Sequence, residues 1–331
     1  MKKLLAVLLS AVMVLGVSAC GSSSSSEEPA EETKQTEGTA EGIDVSDIKI
    51  GCIFIGDENE GYTYAHMKSV KDMQETLGIS DEQIIYKYNT PEDEACYDAA
   101  VDLAEQGCDI IFANSFGFED FILQAAEEYP EIQFCHATGY KAASSGLANV
   151  HNFFANIYEA RYVAGVVAGM KLAELYGADT DAKIGYVGAY SYAEVKSGYT
   201  AFFLGVRSIC PNVTMEVKYT GSWANQALEK ETAEALIADG CVLVSQHADT
   251  TGAASAAEAA GIYDVGYNVS MIDAAPNYAL TSSAINWGSY ITYAVECMLN
   301  GEEIPVDWCQ GHSENAVYLT ELNSAAIAEG T

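Results

Sequence analysis

Short apolar runs alternate with amphipathic stretches along most of the chain, and this pattern predicts alternating strands and helices. Ile48–Ile55 is a near-continuous apolar run, typical of a parallel strand buried on both faces. Further strands are predicted at Ile84–Tyr88, Ile110–Ala113, Gln133–Ala137, Val150–Phe154, Lys183–Val187, Thr214–Tyr219, Val242–Ser245, Asp264–Tyr267, Leu280–Ile285 and Ala316–Leu319. Helices are predicted between them at Thr63–Leu77, Asp93–Gln106, Phe118–Glu128, Ala193–Val206, Gln226–Ala238, Ser255–Ala260 and Ser289–Leu299. Because helical crossovers join parallel strands, this order predicts an α/β fold with parallel sheets.

The stretch Phe153–Lys171 divides this pattern into two halves. It begins as an apolar strand and continues as a helix in which Gly165 and Gly169 lie one turn apart. Two glycines at this spacing would let another backbone approach the helix closely. Its uninterrupted apolar run, Tyr162–Met170, is far shorter than the ~20 residues that span a bilayer. Since similar β/α alternation precedes and follows it, we interpret this stretch as the junction of two lobes.

Two Rossmann-like lobes with parallel sheets, joined by a hinge, follow from this division. We predict an N-terminal lobe at residues 43–155, with a later return segment near 270–300, and a C-terminal lobe at 156–269, with 304–331. In open α/β sheets, ligands bind beyond the carboxyl ends of the strands. The predicted binding site is therefore the cleft between the lobes.

The N-terminus has the features of an export signal. Two lysines precede the apolar stretch Leu4–Val17, and small residues lead to Cys20. This resembles the bacterial lipobox, so we predict a signal peptide at residues 1–19 and lipidation of Cys20; a plain secretory signal is the alternative. Residues 20–42 are rich in Ser and Glu and predict a disordered tether. The mature protein would then be extracytoplasmic and anchored to the cell membrane by its lipid.

Composition excludes several classes of function. The 48 Asp and Glu residues against 15 Lys and Arg give a net charge of −33, which argues against a nucleic-acid partner. The cysteines after Cys20 form no Cys-x-x-Cys pair and no histidine lies at ligand spacing to them, so we predict no metal site. Walker, G-x-S-x-G, H-E-x-x-H and G-x-G-x-x-G motifs are absent. We therefore predict a monomeric binding protein without a cofactor rather than an enzyme.

Aromatic residues recur in the loops that follow the predicted strands, joined by a few amides and carboxylates. Such rings with sparse polar groups suit a flat, partly apolar ligand that carries ring donors and acceptors. A carboxylate such as Asp249 can accept hydrogen bonds from ring N–H or amino groups. The candidate ligand-binding residues are Asp57, Tyr62, Tyr64, Asn114, Phe116, Tyr190, Trp223, Asp249, Tyr267, Asn268 and Trp287.

Several stretches of the chain resemble one family of transport proteins. They are NSFGFED (Asn114–Asp120), IYEARYVAGVVAG (Ile157–Gly169), KIGYVGAYSYAEVKSGYTAFFLGVRS (Lys183–Ser208), VSQHADTTGAASAAEAAGIYDVGYN (Val244–Asn268) and APNYALTSSAINWGSY (Ala275–Tyr290). The chain is similar in these stretches to the basic membrane protein (BMP) family, whose members are substrate-binding lipoproteins of ABC importers with the type I periplasmic-binding fold. It resembles in particular the purine nucleoside receptor lipoproteins.

The resemblance implies a purine base or nucleoside as ligand and ABC permease subunits as partners. It also implies that Asp249 stands in the position of the family's ligand-reading acid and that Trp287 belongs to its Asn-Trp-Gly motif. Tyr62 stands where family members often have Trp, and Asn268 where the nucleoside receptors have an acid. The second departure makes a free base at least as plausible as a nucleoside.

Three alternatives remain open from the sequence. The ligand could be another small solute, such as a sugar or a signalling furanone. The protein could be a surface receptor or adhesin that is not coupled to transport. A hydrolase could use His247 and Asp249, which lie two residues apart in one predicted cleft loop, as an acid–base pair.

Overall fold

The computed structural model describes residues 42–328, in which most strands are followed by a helix. The strands are β1 (Ile50–Ile53), β2 (Ile84–Lys87), β3 (Ile110–Ala113), β4 (Gln133–Ala137), β5 (Val150–Ala155), β6 (Lys183–Gly188), β7 (Thr214–Tyr219), β8 (Cys241–His247), β9 (Tyr263–Tyr267), β10 (Ala279–Ile285), β11 (Asp307–Gln310) and β12 (Val317–Leu319). The helices are α1 (Gly61–Leu77), α2 (Glu94–Glu105), α3 (Glu119–Glu128), α4 (Ala142–Ser145), α5 (Ile157–Tyr176), α6 (Ala193–Ile209), α7 (Gln226–Ala238), α8 (Gly252–Ala260) and α9 (Gly288–Asn300).

The first sheet has the strand order β11-β5-β4-β3-β1-β2, and all its pairs are parallel. Its two faces are covered by separate apolar clusters. One contains residues of α1 and α9, such as Val70 and Ile291, and the other contains residues of α2 and α3, such as Leu103 and Ile122. Burial on both faces explains why these strands read as continuous apolar runs.

The second sheet repeats this arrangement in the order β12-β10-β9-β8-β6-β7. Its pairs are parallel except that β12 runs antiparallel to β10. Residues of α5 and α6 cover one face, and residues of α7 and α8 cover the other. The predicted α/β fold with two Rossmann-like parallel sheets is thus confirmed.

The end of the chain is shared between the two sheets. Strand β10 pairs with β9 of the second sheet, whereas the following helix α9 packs on the first. Strand β11, which the sequence pattern does not predict, pairs with β5 of the first sheet, and β12 returns to the second. The predicted lobe bounds, which put 304–331 in the C-terminal lobe and a segment near 270–300 in the N-terminal lobe, divide this region differently from the strand pairing.

The chain therefore passes between the sheets three times: between β5 and α5, between β10 and α9, and between β11 and β12. The passing segments are hydrogen-bonded to one another. The Asn156 N–H donates to the Gln310 carbonyl (2.8 Å), and the Asn286 N–H donates to the Ala316 carbonyl (2.9 Å). Short connections of this kind can absorb the backbone changes of a hinge motion between two lobes.

Helix α5 packs against α6 at very short distance, as its glycines predict. A Cβ atom on Gly165 would lie 2.1 Å from the Phe202 carbonyl oxygen, and one on Gly205 would lie 2.1 Å from the Tyr162 carbonyl oxygen. Only glycine fits at either position without moving the backbone. This contact fixes α6, whose first turn borders the cleft described below.

The predicted signal peptide, Cys20 and nearly all of the predicted tether lie outside the described residues. Within residues 42–328, no helix combines the length and apolar character that crossing a bilayer needs. The eight cysteines of this range are unpaired, and seven of them are buried.

Candidate ligand-binding cleft

A cleft of about 710 Å³ lies between the carboxyl ends of the two sheets. Its walls come from the loops after β1, β2, β3 and β4 and the end of β5 on one side, and from the loops after β6, β7 and β8 and the end of β9 on the other. In each sheet the first strand, β1 or β6, pairs with a strand on either side, and the loops of neighbouring strands diverge there. This is the position where open α/β sheets bind ligands.

Aromatic side chains form most of the apolar wall. They are Tyr62, Phe116, Tyr140, Phe154, Tyr192, Trp223 and Tyr267. The Phe116 ring lies 6.1 Å from Tyr140 in a stacked arrangement and 5.9 Å from Tyr192 of the opposite sheet. Rings from both sides therefore face the same space.

The first-sheet side is built on the start of α1. The Glu60 carboxylate caps this helix by accepting the backbone N–H of Tyr62 and of Thr63 (2.8 Å for the latter). The Tyr62 hydroxyl donates to the Asn114 carbonyl, and the Asn114 side-chain oxygen accepts the Ile55 N–H (2.9 Å). Asn114 thus joins the loops after β1 and β3 and holds the Tyr62 ring in the cleft wall.

The second-sheet side joins three loops around Asp249. The Asp249 N–H donates to the Trp223 carbonyl (2.8 Å), and one carboxyl oxygen of Asp249 accepts from the Asn268 amide (2.7 Å). Asn268 has φ of 65°, a left-handed conformation that asparagine adopts more readily than most residues. Trp223 and Asp249 are thereby fixed side by side on the cleft wall.

Glu194 and His247 form a second polar group on this side. Glu194 is the second residue of α6, and its carboxylate oxygen Oε2 lies 2.9 Å from His247 Nε2. The predicted His247–Asp249 acid–base pair does not form in the structure, because His247 pairs with Glu194 and Asp249 pairs with Asn268.

The sequence-predicted residues divide into two groups. Tyr62, Phe116, Trp223, Asp249 and Tyr267 line the cleft. Six others are not on its wall, namely Asp57, Tyr64, Asn114, Tyr190, Asn268 and Trp287. Among these, Asn114 and Asn268 hold wall residues by hydrogen bonds, and Tyr190 stacks on Tyr192 at 5.1 Å.

The remaining three have their own surroundings. Asp57 accepts from Asn59 in the loop before α1, and Tyr64 is exposed. Trp287 is buried and stacks on His66 at 4.1 Å, with its indole N–H unpartnered among the described residues. It supports the wall from behind through an edge contact with Tyr62 at 5.7 Å.

Several wall residues were not predicted from the sequence. Tyr140 and Thr138 follow β4. The rule that ligands bind beyond the carboxyl ends of strands (the strand-end rule) would have found both residues if it had been applied to that strand. Thr138 has φ of 66°, which β-branched residues rarely adopt. Glu60 and Glu194 lie at helix starts, and Glu92 lies in the loop before α2. The only sequence signals that could have identified these three residues are their negative charge and their position near the end of a strand.

Four carboxylic side chains line the cleft, Glu60, Glu92, Glu194 and Asp249, and no lysine or arginine of the described range lies on its wall. Burial raises the pKa of Asp249 well above its ordinary value, and the neighbouring Glu60 and Glu229 raise it further. Burial likewise raises the pKa of Glu60. Burial opposes ionisation of Glu194 as well, but His247 and the Arg161 guanidinium outweigh it and lower the pKa of Glu194. The cleft therefore attracts N–H donors and repels anions.

The two sides of the cleft contact each other at its rim. A Cβ atom on Gly61 of α1 would lie 3.2 Å from the Asp249 carbonyl oxygen and 3.2 Å from the Val269 side chain. The absence of a side chain at residue 61 lets these segments meet. A larger residue there would hold the two sides apart.

Comparison with known proteins identifies relatives over most of the chain. Residues 50–327 match the model of the Bmp family, described as ABC transporter substrate-binding protein PnrA-like. A purine-binding protein of Brucella abortus is 34% identical over 255 residues, which cover 77% of this chain and 69% of that protein. A Haloferax volcanii protein named as an ABC transporter glucose-binding protein is 28% identical, covering 82% of this chain and 70% of the relative.

Solved structures agree in fold. The solute-binding protein of an ABC transporter system from Conexibacter woesei superposes with a TM-score of 0.65 at 20% identity, covering 84% of this chain and 89% of that one.

Proposed function

The chain belongs to the Bmp family of PnrA-like ABC transporter substrate-binding proteins, and from this premise we propose that it binds a purine base or nucleoside in the cleft and delivers it to an ABC permease. The family consists of binding proteins, so no catalytic step is assigned to the cleft. The residues proposed to contact the ligand are those on its wall, with Trp223 and Asp249 at the centre.

The observation that supports this proposal is the chemistry of the cleft wall. Seven aromatic rings offer stacking surfaces for a flat heterocycle, and four carboxylic groups offer acceptors for its N–H and amino groups. With no lysine or arginine on the described wall, a phosphate group would lie among acidic side chains without a cationic partner. The proposed ligand is therefore an unphosphorylated purine.

The Brucella abortus relative supports the same ligand class, because its name states purine binding. Base and nucleoside differ by the ribose. Asn268, which stands where nucleoside receptors have an acid, donates to Asp249. Its amide is engaged in positioning Asp249, which favours a free base over a nucleoside.

Binding would close the two lobes around the ligand. Aromatic rings from both sides of the cleft would contact it, while the three hydrogen-bonded connections act as the hinge. A ligand shifts the open–closed equilibrium only by its preference for the closed state. The closed form would then present surfaces of both lobes to the permease.

We place this function outside the cytoplasm. The N-terminal sequence supports export and lipidation of Cys20, which would hold the protein at the outer face of the membrane near its permease. Mass spectrometry of the protein from membranes tests the anchor: a diacylglyceryl group on Cys20 is expected, and an unmodified N-terminus cleaved elsewhere would contradict it.

A monosaccharide is the second candidate ligand. It is favoured by the Haloferax volcanii relative, whose name states glucose binding. Aromatic rings and carboxylates also bind sugars, by stacking on C–H faces and accepting from hydroxyl groups. The two candidates are separated by the same experiment.

Thermal unfolding of the purified, ligand-free protein with purine bases, nucleosides and glucose tests the proposal. A ligand at a hundredfold its dissociation constant stabilises the folded state by about 2.7 kcal/mol. We expect this with at least one purine base or nucleoside and not with glucose. Stabilisation by glucose alone, or by none of these compounds, would overturn the purine assignment.

A further inference from the structure

Glu194 lines the cleft, and one of its two carboxylate oxygens has no hydrogen-bond partner among the described residues. Its Oε2 is held by His247, whereas Oε1 is buried and accepts no hydrogen bond from any residue between 42 and 328. A buried acceptor without a donor costs free energy, so a ligand N–H at this position would remove that cost. The Glu194 side chain lines the cleft wall, beside the space that a ligand would fill.

The other carboxylates of the cleft bind protein donors with their oxygens. Glu60 accepts two backbone N–H groups at the start of α1, Glu92 accepts from Ser115 and the Gly117 N–H, and Asp249 accepts from Asn268. Those contacts shape the loops of the cleft. Glu92 and Asp249 each use one oxygen in these contacts, and Glu194 differs from them because its remaining oxygen, Oε1, is buried without a partner.

His247 is itself held rigidly below the cleft. It is buried at the end of β8, and its neighbour Arg161 is buried as well, with the guanidinium 4.1 Å above the Tyr267 ring. Arg161 donates to the Tyr186 hydroxyl (2.7 Å) and the Gln246 carbonyl (2.9 Å).

Gly198 of α6 makes room for this pair. A Cβ atom there would lie 2.8 Å from His247 Nδ1 and 2.9 Å from Arg161 Nε. Both side chains therefore pack directly against the helix that presents Glu194.

The charges of these groups fix the direction of the hydrogen bond. Burial lowers the pKa of His247, and Arg161 lowers it further, so the neutral imidazole donates its Nε2–H to the Glu194 carboxylate. The lowered pKa of Glu194 keeps that carboxylate ionised at neutral pH. Around it lie Tyr62, Tyr186, Tyr267 and Asp249, and none of these supplies a positive charge.

We propose that Glu194 is a ligand-binding residue whose Oε1 accepts an N–H of the purine, and that His247 is the positioning residue that holds its carboxylate. This inference rests on the proposed function and adds a requirement to it. The bound purine must present an N–H donor to the second-sheet wall beside α6. A ligand with that N–H methylated would lose the contact.

Binding measured by titration calorimetry on the full-length protein and its variants tests the assignment. Glu194→Gln keeps the shape but replaces the charged acceptor, and we expect about tenfold to hundredfold weaker purine binding. His247→Phe removes the donor, whereas His247→Gln keeps an N–H near the Nε2 position and is expected to bind within about threefold of the native protein. Glu231→Gln, on the exposed face of α7, is the matched control and should bind normally.

The pH dependence of affinity separates positioning from simple structural support. In the His247→Phe protein, burial acts on Glu194 without the imidazole, so the pKa of Glu194 rises and purine affinity should fall as the pH is lowered. The native protein should show no such additional loss. A structural role alone would lower stability but would not add this pH dependence.

The outcomes are distinct for the two proposals. If the native protein binds a purine and folded Glu194→Gln binds it equally well, the role of Glu194 is refuted and the proposed function stands. If His247→Phe shows no new pH dependence, or His247→Gln binds as weakly as His247→Phe, the positioning role is refuted. If the native protein binds no purine, both proposals fall.

Discussion

Two tryptophans that the sequence presents as equivalent site candidates have different surroundings in the fold. Trp223 lies on the cleft wall beside Tyr190 and Asp249, partly exposed to the space a ligand would fill. Trp287 is buried on the first-sheet side, behind the cleft wall, where it is stacked on His66 and in edge contact with Phe153. A side chain on the wall acts mainly on the ligand, whereas a buried one acts mainly on stability.

Alanine substitution of each tryptophan should separate these two effects. Trp223→Ala is expected to weaken purine binding by about 1–3 kcal/mol, the worth of a base–aromatic stack, with little loss of stability. Trp287→Ala is expected to reduce the free energy of unfolding by about 3–5 kcal/mol through the cavity it leaves. Calorimetric titration and urea unfolding measure the two quantities. Normal binding by Trp223→Ala would show that the ligand lies elsewhere.

Asp264 is a buried acidic residue that does not line the cleft. It lies on β9 with no exposed surface, and neither carboxyl oxygen has a hydrogen-bond partner within the described range. Burial raises the pKa of Asp264 from 3.8 to about 8. The folded protein therefore holds a proton at this residue that the unfolded chain releases above about pH 4.

The contribution of Asp264 to stability should fall as pH rises. Between about pH 4 and pH 8 only the unfolded chain is ionised at this residue, so the free energy of unfolding decreases by up to about 1.4 kcal/mol per pH unit. Asp264→Asn, which cannot ionise, should lose this slope, whereas Asp98→Asn on exposed α2 should keep it. Urea unfolding at several pH values measures the slopes. Parallel curves for the native protein and Asp264→Asn would contradict the account.

At the scale of elements, the strand and helix pattern is largely readable from sequence because both faces of each sheet are covered. A continuous apolar run such as Ile110–Ala113 is typical of a parallel strand that is buried on both faces. Strand β11 was missed because it is a short edge strand with exposed residues, such as Asp307 and Cys309, so its pattern resembles a loop. Its pairing with β5 depends on the tertiary fold alone.

Two glycines of α5 predicted a close approach by another backbone, and the structure shows that α6 makes it; this contact can be tested directly. Gly165→Ala would place a Cβ atom 2.1 Å from the Phe202 carbonyl oxygen, so we expect a loss of about 1–3 kcal/mol in the free energy of unfolding. Alanine otherwise favours a helix over glycine by about 1 kcal/mol, which makes a loss diagnostic of packing. Val163→Ala on the exposed side of α5 should change stability by no more than about 0.5 kcal/mol. Unfolding midpoints that are equal for both variants would contradict the close packing.

At the scale of the whole molecule, the cleft unites residues that the sequence keeps up to about two hundred positions apart, from Glu60 to Tyr267. The strand-end rule found five wall residues because parallel strands bring their carboxyl ends to one edge. It could not separate Tyr267 on the wall from neighbouring Asn268, or Trp223 from Trp287. Nor could it find Glu194, whose role depends on the contact of His247 with α6. Such distinctions depend on side-chain direction and neighbours, which only the folded chain determines.

The central claim is that the acidic, aromatic cleft binds an uncharged purine. The most direct measurement is a calorimetric comparison of the purine base or nucleoside that stabilises the protein most with the corresponding nucleoside 5′-monophosphate. Because like charges brought together cost several kcal/mol, we expect the monophosphate to bind at least about a hundredfold more weakly. Equal or tighter binding of the monophosphate would contradict the account of the cleft.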